Sequence, residues 1–329
     1  RPDTRLFLMC GTDMVLTFDQ WYRFEDIFKM ADIVYIRREN DRLITEQIKS
    51  KTEEYINKYN LLFGRIDMNV FRFGIMGAGG IANKFCEAVS LLDNCEVCAI
   101  SSKSCDRAKN FAAKHGLNKY YGSYIEMLEA EKPDCVYIAV TPNDHYRLTM
   151  MCVERGIPVL CEKAMFQNSD EAKKVFEVAA RNKVFVMEAM WSRFLPAVNK
   201  AKMWIDNGEI GIPEISQFSI GFKAAEDNSN RFFNPLLGGG ASKDITVYAY
   251  EITTYLIEQE IKNMNVSATW SDSGVDTNNH ISIDFEHTLA DLAASIMTSI
   301  DDKMIIYGKR NVNVRKFQKN GASKSGSLP

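Results

Sequence analysis

Compact hydrophobic runs alternate with amphipathic stretches from Val70 to about residue 206. Each run is short and apolar throughout, as expected for a strand that is buried on both faces of a sheet. The stretches between them have the periodicity and length of helices. This alternation predicts an α/β fold built on a doubly wound parallel sheet. Its predicted strands are Arg72–Met76, Glu96–Ser101, Cys135–Val140, Val159–Cys161 and Val184–Glu188.

The pattern changes after Ile210, where apolar and polar residues alternate in strands that follow one another. Such alternation is typical of an antiparallel sheet with one buried face and one open face. One helix, Val247–Ile257, interrupts the strands. We therefore expect an α+β domain with an open, mostly antiparallel sheet. Its predicted strands are Glu214–Phe222, Asn265–Trp270, His280–Phe285, Leu292–Met297 and Met304–Tyr307.

Residues 1–67 have a separate pattern, which predicts a partial α/β fragment. Its predicted elements are strand Leu6–Cys10, helix Gln20–Met30, strand Ile33–Arg37 and a charged helix Thr45–Tyr59. The chain opens on Arg1, and Met68 stands just before the next domain, so we expect a piece of one protein joined to most of another. The predicted domains are 1–67, 68–190, a truncated domain over 191–319, and a disordered tail over 320–329.

Charge and composition exclude several function classes. The chain has 40 Lys and Arg against 43 Asp and Glu, a net charge of -3, so it lacks the cationic face of a general nucleic-acid or membrane-surface binder. Its apolar runs fall short of the roughly 18 to 20 residues that a bilayer span needs, which predicts a cytoplasmic protein. The CxxC pair Cys95 and Cys98 has no second pair and lies on a predicted strand, so we expect no metal site.

The strongest local motif is a strand that runs directly into the sequence GAGGIA and then into a helix. In this context glycines allow a tight turn and a close backbone approach to a pyrophosphate, whose charge the helix N-terminus stabilises. A glycine-rich turn without a ligand is the alternative. The motif predicts an NAD(P)-binding Rossmann domain whose cofactor contacts include Gly77, Gly79, Gly80, Ile81 and Ala82.

The end of the second predicted strand indicates which cofactor binds. An NAD enzyme places an acidic residue there to bind the ribose 2′-hydroxyl, whereas this chain has Ser102 and Lys103, with Arg107 following one helical turn later. Hydroxyl and cationic groups suit a 2′-phosphate. The sequence therefore favours NADP, with NAD also possible; the alternative is that both cations are ordinary solvated helix-start charges.

Spaced motifs between Phe71 and about Met304 resemble those of the Gfo/Idh/MocA oxidoreductases, in the branch that contains dihydrodiol and xylose dehydrogenases. The motifs, in chain order, are GAGGIA, AKNFAAKHG, YGSY, VTPNDH, CEKAM, MEAMWSRFLPA and RFFNPLLGGGASKD. The resemblance implies hydride transfer between a nicotinamide cofactor and a carbinol carbon. It also implies a sugar or cyclic diol as the small-molecule substrate, and a homodimer formed through the open sheet.

The same resemblance implies the catalytic residues. Lys163 would stabilise the substrate oxygen, Tyr248 would be the general acid and base, and Asp244 would orient substrate or lysine. Asp244 and Tyr248 stand at i and i+4, which predicts one face of a helix start. Ala164, Lys243 and Thr246 depart from the family pattern, which leaves open a non-catalytic dinucleotide-binding sensor. A strand-end lysine and a packed helix tyrosine are the non-functional alternatives.

Further residues are assigned by the resemblance alone. His145 is expected to pack or orient rather than to donate a proton, and Arg231 is expected to contact substrate together with Lys163 and Tyr248. The remaining residues assigned to the cofactor side are Thr141, Pro142, Asn143, His145, Glu162, Trp191 and Arg193.

The opening segment resembles the middle of a nicotinate-nucleotide adenylyltransferase. The resemblance rests on Gly11-Thr12-Asp13, on Trp21 and on the strand Ile33–Arg37. The paired histidines of that family's phosphate-binding motif are absent, since His115 is the first histidine of the chain. We therefore predict no adenylyl transfer, although this activity is the rival function.

Overall fold

A computed structural model describes residues 7–11, 16–20, 25, 32–36, 42–59, 63–66, 70–225, 230–310 and 313–315. The contacts between residues divide the chain into two units, 1–136 and 137–329. Most of the predicted helix over 20–30 lies outside the described residues, as does the whole predicted tail over 320–329. The predicted domain boundaries stay predictions.

The N-terminal segment forms a small parallel sheet of three strands in the order β1-β2-β3. Its elements are β1 (Phe7–Gly11), β2 (Asp32–Ile36), α1 (Arg42–Tyr59) and β3 (Phe63–Ile66). Strand β3 was not expected, because Gly64 and Arg65 interrupt its short apolar run. This strand pairs with β2, a long-range contact that the sequence pattern alone does not indicate.

Regular strand-helix alternation follows within the same unit. Its elements are β4 (Phe71–Met76), α2 (Gly80–Val89), β5 (Cys95–Ser101), α3 (Cys105–His115), β6 (Tyr120–Tyr121), α4 (Tyr124–Glu131) and β7 (Cys135–Ile138). Ser104 and Ser123 cap the N-termini of α3 and α4 with their side chains, and Gly116 ends α3 in the left-handed conformation. These caps explain where both helices begin and where α3 ends.

The second unit continues the alternation after β7. Its next elements are α5 (His145–Val153), β8 (Val159–Cys161), α6 (Ser169–Asn182) and β9 (Val186–Glu188). A sheet of six strands has the order β6-β5-β4-β7-β8-β9, and its recorded registers are parallel. The predicted doubly wound parallel sheet is confirmed. The two-residue strand β6 was not predicted, because two residues carry no periodicity.

A second sheet of six strands follows, in the order β11-β12-β13-β10-β14-β15. Pairing is antiparallel except between β10 and β13, which confirms the mostly antiparallel α+β domain. The elements are α7 (Pro196–Asp206), β10 (Pro213–Gly221), a π-helical turn (Ser242–Thr246), α8 (Val247–Ile257), β11 (Ile261–Trp270), β12 (Asp276–Phe285), β13 (Leu289–Ser295), β14 (Lys303–Gly308) and β15 (Asn313–Arg315).

Helix α8 and this second sheet share one hydrophobic core. Ile252 and Leu256 of α8 belong to the same buried cluster as Ile283 of β12 and Leu292 of β13. Burial alternates along β12, where Ile281 and Ile283 are buried while His280 is exposed. The sheet therefore buries one face and leaves the other accessible.

A helix that spans a membrane has to be both long and apolar. Within the described parts of the chain, no helix is long and apolar enough to cross a bilayer.

The shared core predicts how stability responds to a cavity. Leu256 is 0% exposed, so Leu256→Ala should lower the free energy of unfolding by about 2–5 kcal/mol through lost burial and an unfilled cavity. The matched control is Leu236→Ala, because Leu236 is 81% exposed and should change stability little. Urea unfolding followed by circular dichroism measures both, and equal effects would contradict this account of the core.

Candidate active site

The GAGGIA loop joins β4 to α2 and has the backbone of an anion site. Gly77 has φ +108°, a value that favours glycine, and the N-cap residue Gly79 is extended. No side chain caps the N-terminus of α2 with a hydrogen bond. Ala82 is fully buried where the helix meets the sheet, while Ile81 is 42% exposed.

Space above the loop is consistent with a bound phosphate. A Cβ atom built on Gly80 would meet nothing within 4 Å, so the first turn of α2 faces open room. A helix N-terminus without a side-chain cap, preceded in the same loop by a glycine with positive φ, fits the pyrophosphate of a dinucleotide. The residues present therefore fit NAD(P).

The end of β5 carries hydroxyls and cations without a carboxylate. Ser102 is buried, and its Oγ accepts a hydrogen bond from the Ser104 backbone N–H at 3.3 Å. Lys103 and Arg107 are exposed, and Arg107 Nη2 donates to the Ala78 carbonyl of the GAGGIA loop at 3.5 Å. Arg107 therefore lies beside the GAGGIA loop, within the same unit.

Lys163 and Asp244 form a buried ion pair in the second unit. Lys163 follows β8, and its Nζ lies 2.9 Å from Asp244 Oδ1 in the π-helical turn. Each side chain is only 13% exposed. Burial lowers the pKa of Lys163, while the Asp244 carboxylate raises it and Arg231 lowers it. The amine is therefore easier to deprotonate than an ordinary lysine.

Arg231 binds the same carboxylate oxygen. Its Nη2 donates to Asp244 Oδ1 at 3.0 Å, and its guanidinium carbon lies 4.1 Å from the ring centroid of Phe232. Its side chain is 51% exposed, so it reaches Asp244 from the solvent side of the pair. One carboxylate oxygen therefore holds two cations, and the three groups together carry a net positive charge.

Tyr248 stands in the first turn of α8, beside these charges. Its hydroxyl oxygen accepts a hydrogen bond from Trp191 Nε1 at 3.0 Å, and Lys163 Nζ lies 4.9 Å from its ring centroid. Burial raises the pKa of Tyr248 and the hydrogen bond from Trp191 lowers it, with burial the larger effect. Tyr248 is therefore protonated at neutral pH, and its phenol can donate a proton.

The helix start that carries these residues differs from the sequence expectation. Asp244 lies in a π-helical turn, and Tyr248 lies in the α-helix that follows, so they do not share one regular α-helical face. The hydroxyl of Thr246 donates to the carbonyl of Ala241, five residues back, at 3.1 Å. This contact follows the wider spacing of a π-helix.

Two predicted cofactor residues point to other partners. The Glu162 carboxylate is buried and accepts a hydrogen bond from the Tyr137 hydroxyl at 2.5 Å, and burial raises the pKa of Glu162. His145 is also buried, with Nδ1 2.9 Å from the Ala164 carbonyl and Nε2 3.1 Å from the Val140 carbonyl. Burial lowers the pKa of His145, and these contacts suit an orienting role rather than proton donation.

The other predicted residues line the same region of the fold. Arg193 lies in the 3-10 turn Trp191–Phe194, which contacts α8, and it forms an ion pair with Glu251 of that helix. Thr141 precedes a 3-10 turn, Pro142–Asp144, that contains Asn143. A Cβ added to Gly238 would lie 2.9 Å from the Pro142 Cβ, so the triple-glycine loop comes close to this turn.

Glu188 is a residue of the site that was not anticipated from the sequence. Glu188 ends β9, its Oε1 accepts from the Met165 N–H at 2.8 Å, and burial raises its pKa. Its place in the MEAMW motif was the available signal. Lys243 donates to Gln167, so this extra cation points away from the Lys163–Asp244 pair. Within the described residues, no cluster of metal-ligating side chains occurs.

Comparison with known proteins matches this chain over both sheets. A family model described as oxidoreductase family, NAD-binding Rossmann fold, matches residues 71–190. A second, described as GFO/IDH/MocA C-terminal domain, matches residues 198–312.

Individual relatives include two curated enzymes. A trans-1,2-dihydrobenzene-1,2-diol dehydrogenase of Xenopus laevis is 31% identical over 248 residues, covering 73% of this chain and 74% of that protein. The D-xylose 1-dehydrogenase (NADP(+)) of Hypocrea jecorina is 33% identical over 259 residues, covering 70% and 66%. A crystal structure of a probable dehydrogenase from Thermotoga maritima superposes with a TM-score of 0.68 at 20% identity, covering 76% of this chain and 77% of that one.

The Lys163–Asp244 pair predicts a change in amine reactivity. Asp244→Asn removes the carboxylate that raises the pKa of Lys163, so that pKa should fall further and the neutral amine should appear at lower pH. The rate of reductive methylation of Lys163 against pH, followed by peptide mass spectrometry, measures the midpoint.

The control for this measurement is Glu258→Gln, which removes a carboxylate bound to Lys202. It should leave the Lys163 midpoint in place. A midpoint for Lys163 that rises or stays unchanged in Asp244→Asn would show that the carboxylate does not control this amine.

Proposed function

The chain belongs to the Gfo/Idh/MocA oxidoreductase family, and from this premise we propose that it is an NADP-preferring dehydrogenase. Its substrate is a sugar or a cyclic diol, oxidised reversibly at a carbinol carbon. The observation that carries the proposal is the set of direct contacts that joins Lys163, Asp244, Tyr248 and Trp191. The relatives named above act on a cyclic diol and on a sugar, which supports this substrate class.

The cofactor is held by backbone and cationic groups of the first unit. The first turn of α2 binds the pyrophosphate through its N–H groups, and the extended backbone at Gly79 leaves them accessible. Lys103 after β5 and Arg107 in α3 bind the 2′-phosphate, since both are exposed and Ser102, not a carboxylate, stands directly after β5. When bound, the nicotinamide supplies or accepts the hydride.

Proton transfer falls to Tyr248 and Lys163. In the direction of reduction the Tyr248 hydroxyl donates a proton to the substrate oxygen, because its raised pKa keeps it protonated at neutral pH. Trp191 donates a hydrogen bond to the Tyr248 oxygen and stabilises the phenolate that remains after the transfer. In the direction of oxidation the Tyr248 phenolate takes the hydroxyl proton, and Lys163, whose pKa burial lowers, assists its removal.

Charge near the substrate oxygen favours an alkoxide-like transition state. The ammonium form of Lys163 can donate to that oxygen, and Asp244 keeps the side chain aimed by holding its Nζ. Arg231 is half exposed beside the pair and binds a substrate hydroxyl or other oxygen from the solvent side. Asp244 thus orients both cations rather than transferring a proton itself.

The departures from the family pattern do not disrupt this arrangement. The Thr246 hydroxyl donates to the Ala241 carbonyl and accepts from Asn279. The Lys243 amine donates to the Gln167 side chain. Lys163 therefore keeps its contact with Asp244, which favours an enzyme over a non-catalytic sensor. Adenylyl transfer is not favoured either, because both family matches lie within residues 71–312 and leave the opening segment out.

The predicted homodimer through the open sheet remains a proposal. The accessible face of the second sheet carries polar side chains, among them exposed His280 and Asp291 with Nε2 and Oδ1 3.7 Å apart. A second copy of the chain that covers this face would bury these groups.

Cofactor preference follows from the cations at the end of β5. Lys103→Ala and Arg107→Ala should each weaken NADPH binding about tenfold and leave NADH binding unchanged, because charge-assisted contacts to the 2′-phosphate are lost. Nucleotide fluorescence titration measures both dissociation constants. Lys109→Ala is the control, since Lys109 is an exposed cation on α3, the helix that carries Arg107. Tighter NADH than NADPH binding by the unaltered protein would refute the preference.

The proton donor predicts a loss of turnover. Tyr248→Phe should lower kcat about 100-fold to 10,000-fold with NADP and either D-xylose or trans-1,2-dihydrobenzene-1,2-diol, while NADPH binding is retained. Tyr250→Phe is the matched control on the same helix, because Tyr250 is 38% exposed. Steady-state absorbance of NADPH gives the rates, and wild-type turnover in Tyr248→Phe would discard Tyr248 as the donor.

A further inference from the structure

The π-helical turn Ser242–Thr246 is held by a buried carboxylate from another strand. Asp276, the first residue of β12, is 8% exposed. Its Oδ2 accepts from the Ser242 backbone N–H at 2.6 Å, and its Oδ1 accepts from the Ser242 hydroxyl at 3.0 Å. A carboxylate at the start of a helical turn satisfies donors that have no partner within the helix. The beginning of the turn is therefore fixed to β12.

A second side chain of β12 holds the other end of the turn. The Nδ2 of Asn279 donates to Asp276 Oδ2 at 2.7 Å and to Thr246 Oγ1 at 3.0 Å. Thr246 in turn donates to the Ala241 carbonyl at 3.1 Å. Asn279 and Thr246 are 7% and 5% exposed, so the hydrogen bonds form in a region of low dielectric.

A glycine makes room for the carboxylate. Gly240 has φ +116°, and a Cβ added there would lie 2.3 Å from Asp276 Oδ1. That distance is far shorter than any contact between a carbon and an oxygen of separate residues. Asp276 can reach Ser242 only because residue 240 has no side chain.

Asp244 lies between the two fixed ends of this turn, and Tyr248 lies in the first turn of α8, which follows. The Oδ1 atom of Asp244 lies 2.9 Å from Lys163 Nζ and 3.0 Å from Arg231 Nη2. A shift of the turn by a fraction of an ångström would change both contacts. Misplacement on that scale is enough to slow a reaction strongly, since catalytic groups act only in narrow geometry.

We propose that Asp276, Asn279 and Thr246 are positioning residues for the reaction, which act through the backbone of the π-helical turn to place Asp244 and Tyr248. This role rests on the proposed function of Lys163, Asp244 and Tyr248. The side chains of the three residues bond to one another and to the turn. Thr246, which departs from the family pattern, is thereby assigned a role as the link between Asn279 and the end of the turn.

A matched pair of variants at residue 246 tests the role of the hydroxyl. Thr246→Val keeps the shape of the side chain but leaves Asn279 Nδ2 without this acceptor and the Ala241 carbonyl without this donor. We expect kcat with NADP and D-xylose or trans-1,2-dihydrobenzene-1,2-diol to fall about tenfold, with the dissociation constant of NADPH unchanged. Thr246→Ser keeps the hydroxyl and should restore most of the rate.

Hydrogen exchange by mass spectrometry provides a readout that does not need turnover. Amides of residues 242–248 should exchange faster in Thr246→Val than in Thr246→Ser or the unaltered protein, because the turn opens more often. Asp276→Ala should give the same local effect more strongly. Asp272→Ala is the control, since Asp272 is exposed in the turn before β12.

The outcomes separate this proposal from the function on which it rests. Unchanged exchange over residues 242–248 in Thr246→Val overturns the proposal, as does an equal loss of kcat in the Val and Ser variants. Absence of turnover by the unaltered protein on both substrates counts against the proposed function, whereas exchange still decides whether the β12 residues hold the turn. If Asp276→Ala does not fold, the pair at residue 246 carries the test.

Discussion

A buried ammonium group is stable only beside an opposite charge, and Asp244 supplies that charge to Lys163. The same oxygen of Asp244 also accepts from Arg231, so a residue 81 positions away and a residue 13 positions away bind one atom, and three segments meet there. They are the end of β8, the loop before the triple glycine and the π-helical turn before α8. Burial and pairing act in opposite directions on Lys163, which makes its proton affinity depend on where the turn lies.

Much of the fold could be predicted because strands of the central sheet are largely apolar, and β7 is buried along its whole length. The predicted bounds of β8 and α8 are those observed. The strands that the sequence did not indicate, β3, β6 and β15, are short and each lies at the edge of its sheet. They lack the continuous apolar run that marks the equally short strand β8, and their formation depends on a neighbouring strand that the local sequence does not describe.

The site residues were recognisable by type and spacing, but their partners were not. Trp191 and Tyr248 are 57 positions apart, and only the fold brings the indole N–H to the phenol oxygen. Glu162 accepts from the Lys163 backbone N–H with one carboxylate oxygen and from the Tyr137 hydroxyl, 25 positions away, with the other. The i and i+4 spacing of Asp244 and Tyr248 predicted a regular helix, whereas contacts with β12 hold a wider turn. Such contacts between distant segments have no signature in local periodicity.

The close approach of Gly240 and Asp276 makes one position depend on the other. Any side chain at residue 240 would occupy the space of the carboxylate oxygen, and the φ of +116° would strain it as well. Loss of the carboxylate would relieve the steric conflict but leave the backbone strain. Residue 240 is therefore restricted to glycine for two separate reasons, whereas Asp276 keeps its place only as long as that glycine is present.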